Sequence, residues 1–256
     1  MGIENDLQNI KNIRLKILEM AYQAREGHIP SSFSVVELLY GIYAGMSQDD
    51  TFFLSKGHAS MALYAVLAHF GYLDPAALNG FCRYSSNLGG HPHGNKIKHI
   101  MNSSGSLGQG LPTAAGYALA KKIKNEPGRV FCLIGDGESN EGTVWETAIY
   151  AQQLKLTNLV CVLDNNNSQI RAITTINLAE KFMSFGWKIY EIDGHDFNWI
   201  DCALFNKEIQ GTNRPVCVVA RTVKGKGIKE MENNFAWHHR APNDSEFPLF
   251  VEELSN

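Results

Sequence analysis

The run VFCLIGDGESNEGTVWE, residues 130–146, decides how this chain folds. Five apolar residues stop abruptly at Gly135-Asp136-Gly137, a polar turn follows, and a helical pattern resumes over 141–154. That is a strand, a tight turn and a helix. An acidic side chain between two glycines at the end of a buried strand is poor core material. It makes sense if something charged sits there.

Working outward, the same grammar repeats. Strand-like runs fall at 159–163, 187–192 and 216–220, and helical patterns at 177–185 and 196–209. Alternating strands and helices with short turns give an α/β fold, a doubly wound parallel sheet with helices on both faces. The four runs are apolar throughout, as expected of strands covered on both sides. Towards the amino terminus, Leu7, Ile10, Ile13, Ile17 and Met20 mark an amphipathic helix over 6–25, stopped at Gly27. A second helix is expected over 34–44, with Ser34 as its cap and Glu37 completing a capping box. Alanine-rich helices are expected over 58–70 and 112–122. Between them, 85–111 is irregular and rich in Gly, Asn and His, too long for a simple connector. No repeat or linker divides the chain, so residues 1–256 form one domain.

Composition narrows the function. A formal charge of −3 argues against nucleic acid or an anionic membrane as partner. No apolar run is long enough to span a membrane, and the polar start is not a signal peptide. The five cysteines are odd in number and lack CxxC spacing, so buried reduced thiols in a cytoplasmic protein are expected. The basic cluster at 121–124 reads as a solvated helix face; Lys224, Lys226 and Lys229 form a second cluster.

In an open parallel sheet, ligands bind at the carboxyl ends of the strands. Asp136 ends one strand, and DNNNSQ, 164–169, ends the next, at the spacing of about 30 residues that a crossover needs. A carboxylate, an amide oxygen and backbone carbonyls form a hard-oxygen set suited to Mg²⁺ bridging to phosphates. Gly135 and Gly137 let the backbone come close to a diphosphate. Gly-Asp-Gly and Asn-rich turns are also common punctuation, so the ligand stays open at this level.

These stretches resemble the thiamine-diphosphate-dependent enzymes, and more narrowly the amino-terminal half of transketolases. The resemblance is carried in order by GHIPSS (27–32), LSKGHASMALYAVLA (54–68), GGHP (89–92), GSLGQGL (105–111), GDGESNEGTVWE (135–146), LDNNNSQ (163–169), DGHD (193–196), KGKGI (224–228) and AWHHRAP (236–242). It implies a metal, Mg²⁺ or Ca²⁺ or Mn²⁺ in its place, held by Asp136, Asn166 and the carbonyl of Ser168. It implies thiamine diphosphate held by Ser31, His58, Gly105, Ser106, Leu107, Gly137, Asn166, Lys224 and His238, alongside Gly135. The catalytic set it implies is His28, His58, His91, His238 and Glu141, the last at a subunit contact. His239 leaves the last histidine ambiguous by one residue. His69, His99 and His195 are left to structural roles. Arg171 and His93 stand where relatives often carry an acidic residue.

In that family a glutamate on a second, pyrimidine-binding domain activates the cofactor, and this chain stops at Asn256, soon after AWHHRAP. The resemblance therefore implies the amino-terminal subunit of a split transketolase, acting on sugars or sugar phosphates with a separate carboxyl-terminal subunit, as two heterodimers. A transferase acting on a nucleotide-linked sugar, or a non-catalytic binding module, would preserve the same motifs.

Overall fold

The computed structural model describes residues 3–171, 177–206 and 211–255, with the side chains of residues 5–169 in the first range. Five parallel strands form one sheet in the order β1-β2-β3-β5-β4: β1 Thr51–Leu54, β2 Val130–Gly135, β3 Leu159–Asn165, β4 Lys188–Asp193 and β5 Val216–Arg221. Every pair is parallel, and Gly135 stands in register with Asp164. The carboxyl ends of the two central strands therefore meet, as the sequence pattern predicts.

The expected strands at 130–134, 159–163 and 216–220 are buried along nearly their whole length. The strand expected at 187–192 is present as β4 but is not covered on both sides: Lys188, Glu191 and Asp193 are exposed. It is a sheet edge, where charged residues discourage further strand pairing. At the other edge, β1 has no clear signal in the sequence, because TFFL is only four residues and carries no alternation.

Alternate strand residues feed two cores. Phe131, Leu133, Val160 and Val162 pack under helices α1 (Ile3–Ala24), α2 (Ile29–Phe33), α3 (Val36–Gly45) and α4 (Ser60–His69). Val130, Cys132, Ile134 and Cys161 pack under α5 (Gly110–Lys124), α6 (Gly142–Gln153) and α7 (Leu178–Ser184). The period of two along the strands produces this division. Helix α8 (Phe197–Phe205) and an unforeseen α9 (Glu246–Ser255) join the first face. Part of the expected 196–209 helix, residues 207–210, lies outside the described residues.

Two sequence expectations fail here. Ser34 does not N-cap a helix: it closes the end of α2, α3 starts at Val36 without a side-chain cap, and the Ser34 hydroxyl donates to Asp164 Oδ2 at 2.8 Å. Nor does Glu37 close a capping box; it is buried, and Arg14 Nη2 reaches both of its oxygens at 2.8 Å. The cluster at 121–124 is not simply solvated either. Lys121 is buried, and its ammonium donates to the Asp49 carbonyl at 2.9 Å, tying α5 to the turn before β1. All five cysteines are free, with Cys132, Cys161 and Cys217 buried side by side across three strands.

The Arg14–Glu37 pair joins α1 to α3. Burial pushes Glu37 up, but Arg14 and His195 more than offset this and hold its carboxyl below the ordinary glutamate range. A carboxyl depressed in the folded state stabilises the fold above its unfolded pKa, and that contribution disappears as pH falls through the folded value. Replacing Glu37 by Ala strands a buried guanidinium, at a cost of about 3–5 kcal/mol. Thermal melts of Glu37→Ala should show a Tm deficit that is full at neutral pH and shrinks on acidification below the usual glutamate range.

Candidate active site

Three buried carboxylates gather where β1, β2, β3 and β5 end, and they differ in how well they are satisfied. Asp164, at the end of β3, has no exposed surface. It accepts from Ser34 Oγ and Asn166 Nδ2 at 2.8 Å, from the Lys56 ammonium and from the Thr222 hydroxyl. Lys56, just beyond β1, is equally buried and also donates to the Ser31 carbonyl at 3.2 Å. This is an enclosed ion pair with the remaining carboxylate lone pairs satisfied, the condition under which a buried pair survives desolvation.

Glu138, in the turn after β2, accepts from Gly108 N at 2.8 Å, Gly135 N at 3.1 Å and the Ser55 hydroxyl. It anchors the 105–110 loop onto the sheet edge. Gly108 has φ +81°, and a Cβ there would lie 2.6 Å from Glu141 Cβ, so only glycine fits. Thr143 closes the clamp by donating to the Gly108 carbonyl at 2.9 Å.

Asp136 is different. Its Oδ1 accepts from Gly137 N at 2.7 Å, but Oδ2 is buried with no hydrogen-bond partner. Burial, then the charge of Asp164, raises its pKa, against weaker pulls from Gly137, Lys56 and Gln169. Its backbone N–H donates to the Asp164 carbonyl at 3.1 Å, placing it against the strand that leads to Asn166. A buried carboxylate oxygen with nothing to bind fits a cation, which would relieve both burial and repulsion.

Asn166 is oriented for the same role. Its amide nitrogen is tied to Asp164, which turns Oδ1 the other way, where Ser168 N donates at 3.0 Å together with the Ser168 hydroxyl. A cation would take the lone pair that this rotatable hydroxyl occupies. Asn166, Ser168 and Lys224 line one cavity of about 230 Å³ with Phe235. Two of the residues that would hold a metal, Asn166 and Ser168, and the lysine that would hold a phosphate thus share a wall.

Lys224 is buried, and burial followed by the Lys56 charge brings its pKa down to about 8, against Asp136 and Asp164. Its ammonium lies 3.0 Å from His238 Nδ1 and 5.8 Å from the Phe235 ring centre. The buried hydroxyls of Ser31 and Ser104 have no hydrogen-bond partner. A cation and hydroxyls without partners are what an incoming diphosphate would need. Gly105 (φ +146°), Ser106 and Leu107 form the loop beside them.

The expected histidines do converge. His28 is the hub, with ring centres of His58, His91, His238 and His239 at 5.6, 6.1, 5.3 and 4.3 Å. His238 faces Lys224 and His239 lies over His28, so both members of the ambiguous pair join the cluster. Burial, then the neighbouring His239, pushes His28 down to about 3. Burial likewise lowers His58, His91 and His238. At neutral pH these four are neutral donors and acceptors.

Glu141 stands apart from the histidines, on the surface where the sequence reading puts a subunit contact. It is exposed at the start of α6, beside Gly108 and outside the histidine cluster; the buried acid of that motif is Glu138. Of the two expected departures, His93 lies exposed in the 85–111 stretch, and the Arg171 side chain lies outside the described residues. Sequence reasoning missed Lys56, Glu138, Asp164 and Thr222. The first three stand inside motifs it had singled out, but side-chain type alone did not reveal which members face inward.

Replacing Asp164 by Asn removes the counter-charge of Lys56 and the acceptor that orients Asn166. Denaturant melts should show a loss of about 3–5 kcal/mol. A variant as stable as the parent would mean that the pair does not hold these loops.

The geometry has clear relatives. Residues 5–251 match the model of the transketolase thiamine diphosphate binding domain. The chain is 34% identical to one of the subunits of the apulose-4-phosphate transketolase of Actinobacillus succinogenes, covering 96% of this chain and 94% of that one. It is 35% identical to the SqwG subunit of the 6-deoxy-6-sulfo-D-fructose transketolase of Clostridium sp., covering 97% and 96%. Against the solved transketolase of Campylobacter jejuni the TM-score is 0.90 at 26% identity, spanning 100% of this chain and 43% of that chain. The chain thus spans less than half the length of that solved transketolase and almost the whole of the two single-subunit relatives. With this architecture and these matches, the chain belongs to the transketolase family and is its thiamine diphosphate binding domain.

Proposed function

We propose that this chain is the diphosphate-side, amino-terminal subunit of a two-subunit transketolase that moves a two-carbon ketol unit from a ketose to an aldose. The observation that carries the reading is the buried Asp136 oxygen without a partner, at the sheet edge it shares with Asn166 and Lys224. Asp136, Asn166 and the Ser168 carbonyl would hold Mg²⁺, and Lys224, Ser31 and the 105–107 loop the diphosphate. When bound, thiamine diphosphate supplies a nucleophilic carbon and an electron sink. The protein supplies position and proton traffic. His28, neutral with a pKa near 3, can donate one hydrogen bond and accept another without presenting a charge. His91 beside it would offer the same to the sugar, and His58 on its other flank would stand near the diphosphate.

The relatives of matching length are named as individual subunits of transketolases, which supports a separately encoded partner carrying the pyrimidine side. We take the assembly to be two heterodimers in the cytoplasm, in keeping with the free thiols. Two of those relatives are named for a phosphorylated and a sulfonated ketose, which supports an anionic sugar as substrate. No described helix is long and apolar enough to cross a membrane.

Purified with thiamine diphosphate, Mg²⁺ and sugar phosphates, the chain should gain thermal stability from cofactor and metal together. It should turn over substrate only when the partner is added; robust turnover alone would refute the split site. Because Lys224 titrates near 8, the affinity for thiamine diphosphate should fall as pH rises from about 8 upward. In Lys224→Arg, whose charge persists, calorimetric titration should show that fall abolished.

A further inference from the structure

We propose that His195 is a positioning residue that sets where Lys224 stands. The inference rests on the reading of Lys224 as a diphosphate ligand, and begins with a histidine that the catalytic cluster does not use. His195 follows β4 in the DGHD stretch. Its backbone N–H donates to Asp193 Oδ1 at 2.9 Å, and its Nε2 accepts the Val223 N–H at 2.9 Å. A backbone N–H can only donate, so Nε2 is the unprotonated nitrogen and Nδ1 carries the proton. Nδ1 faces Glu37 Oε2 at 3.2 Å, and Glu37 is held in turn by Arg14. The tautomer is thus set by the Val223 N–H, and the buried Glu37 carboxylate lies close behind the protonated nitrogen without accepting a hydrogen bond from it.

Val223 immediately precedes Lys224, so the imidazole grips the loop one residue from the ammonium. The other attachments of that loop support the same purpose. Thr222, on the near side, donates to Asp164, and its N–H reaches the Asn165 carbonyl at 3.3 Å. Gly225 N donates to the Pro30 carbonyl at 3.0 Å, beyond the lysine. Gly194 lets the β4 turn pack close, since a Cβ there would lie 2.4 Å from Thr222 Cγ2. Without His195, the Val223 N–H loses its acceptor, and next to the ammonium the loop keeps only the tie at the Lys224 carbonyl, which accepts the Asn233 N–H at 2.8 Å.

The partner nitrogen distinguishes this role from simple filling of space. Gln at 195 places an acceptor oxygen near where Nε2 stands, whereas Leu fills the volume without one. In the full-length chain, the His195→Leu protein should exchange the Val223 amide hydrogen faster. It should bind thiamine diphosphate with Mg²⁺ about five- to tenfold more weakly, the worth of one net hydrogen bond. His195→Gln should restore most of both. The proposal is overturned if Gln is no better than Leu, or if Leu leaves amide exchange and affinity at parent values. Lys224→Met separates the two layers: if it leaves cofactor affinity unchanged, Lys224 is not the diphosphate ligand and the positioning role falls with it. If it weakens binding while His195→Leu does not, only the positioning role falls.

Discussion

The constraint on which the active end of this domain depends is the ion pair between Lys56 and Asp164, both all but inaccessible to solvent. An isolated buried charge costs so much to desolvate that the chain must bring donors to it. Here they come from four places: the start of α3, the turn after β1, the turn after β3 and the turn after β5. Three of these are loops at the carboxyl ends of strands, and the fourth is the junction of α2 with α3. A single carboxylate with its lone pairs filled therefore sets the relative positions of segments far apart in the chain.

Glu138 repeats the device one strand over, holding the 105–110 loop through Ser55, Gly108 and Gly135. Against these two satisfied acids, Asp136 stands out because it is not satisfied. A group that is buried, anionic and short of partners stores interaction free energy that a ligand can recover. The domain thus commits two carboxylates to rigidity and leaves one for binding, and the rigid pair keeps the third from relaxing towards a partner of its own.

The histidine cluster is only partly enclosed: His28 and His58 are half-buried, while His91, His238 and His239 reach solvent. His28 sits at its centre with four imidazoles around it, and burial followed by those neighbours disfavours its protonation. Neutral rings can each serve as donor or acceptor depending on tautomer, which suits a surface that must meet a polyhydroxylated sugar. Lys224 remains the cationic feature of that wall, its charge softened by Lys56 and supported by Asp136 and Asp164.

Much of this was legible in the amino-acid order, because local physics writes it there. Period-two and period-3.6 apolar patterns specify strands and helices, and glycine, aspartate and asparagine at strand ends specify turns. The doubly wound sheet and the meeting of Asp136 with the Asn166 turn could therefore be read directly. The motifs also pointed to His28, His58, His91, His238 and Lys224. They did not say that Ser34 would give its hydroxyl to Asp164 instead of an N-cap, that Glu138 would turn inward, or that Lys56 would be enclosed. Nor did they reveal that β4 would be an edge or that TFFL would pair as a strand. Those outcomes depend on contacts between residues separated by tens of positions, where the desolvation of a charge is settled by whichever partners the packed chain brings within reach. Spacing along the chain determines the elements; only their packing determines which charges are satisfied.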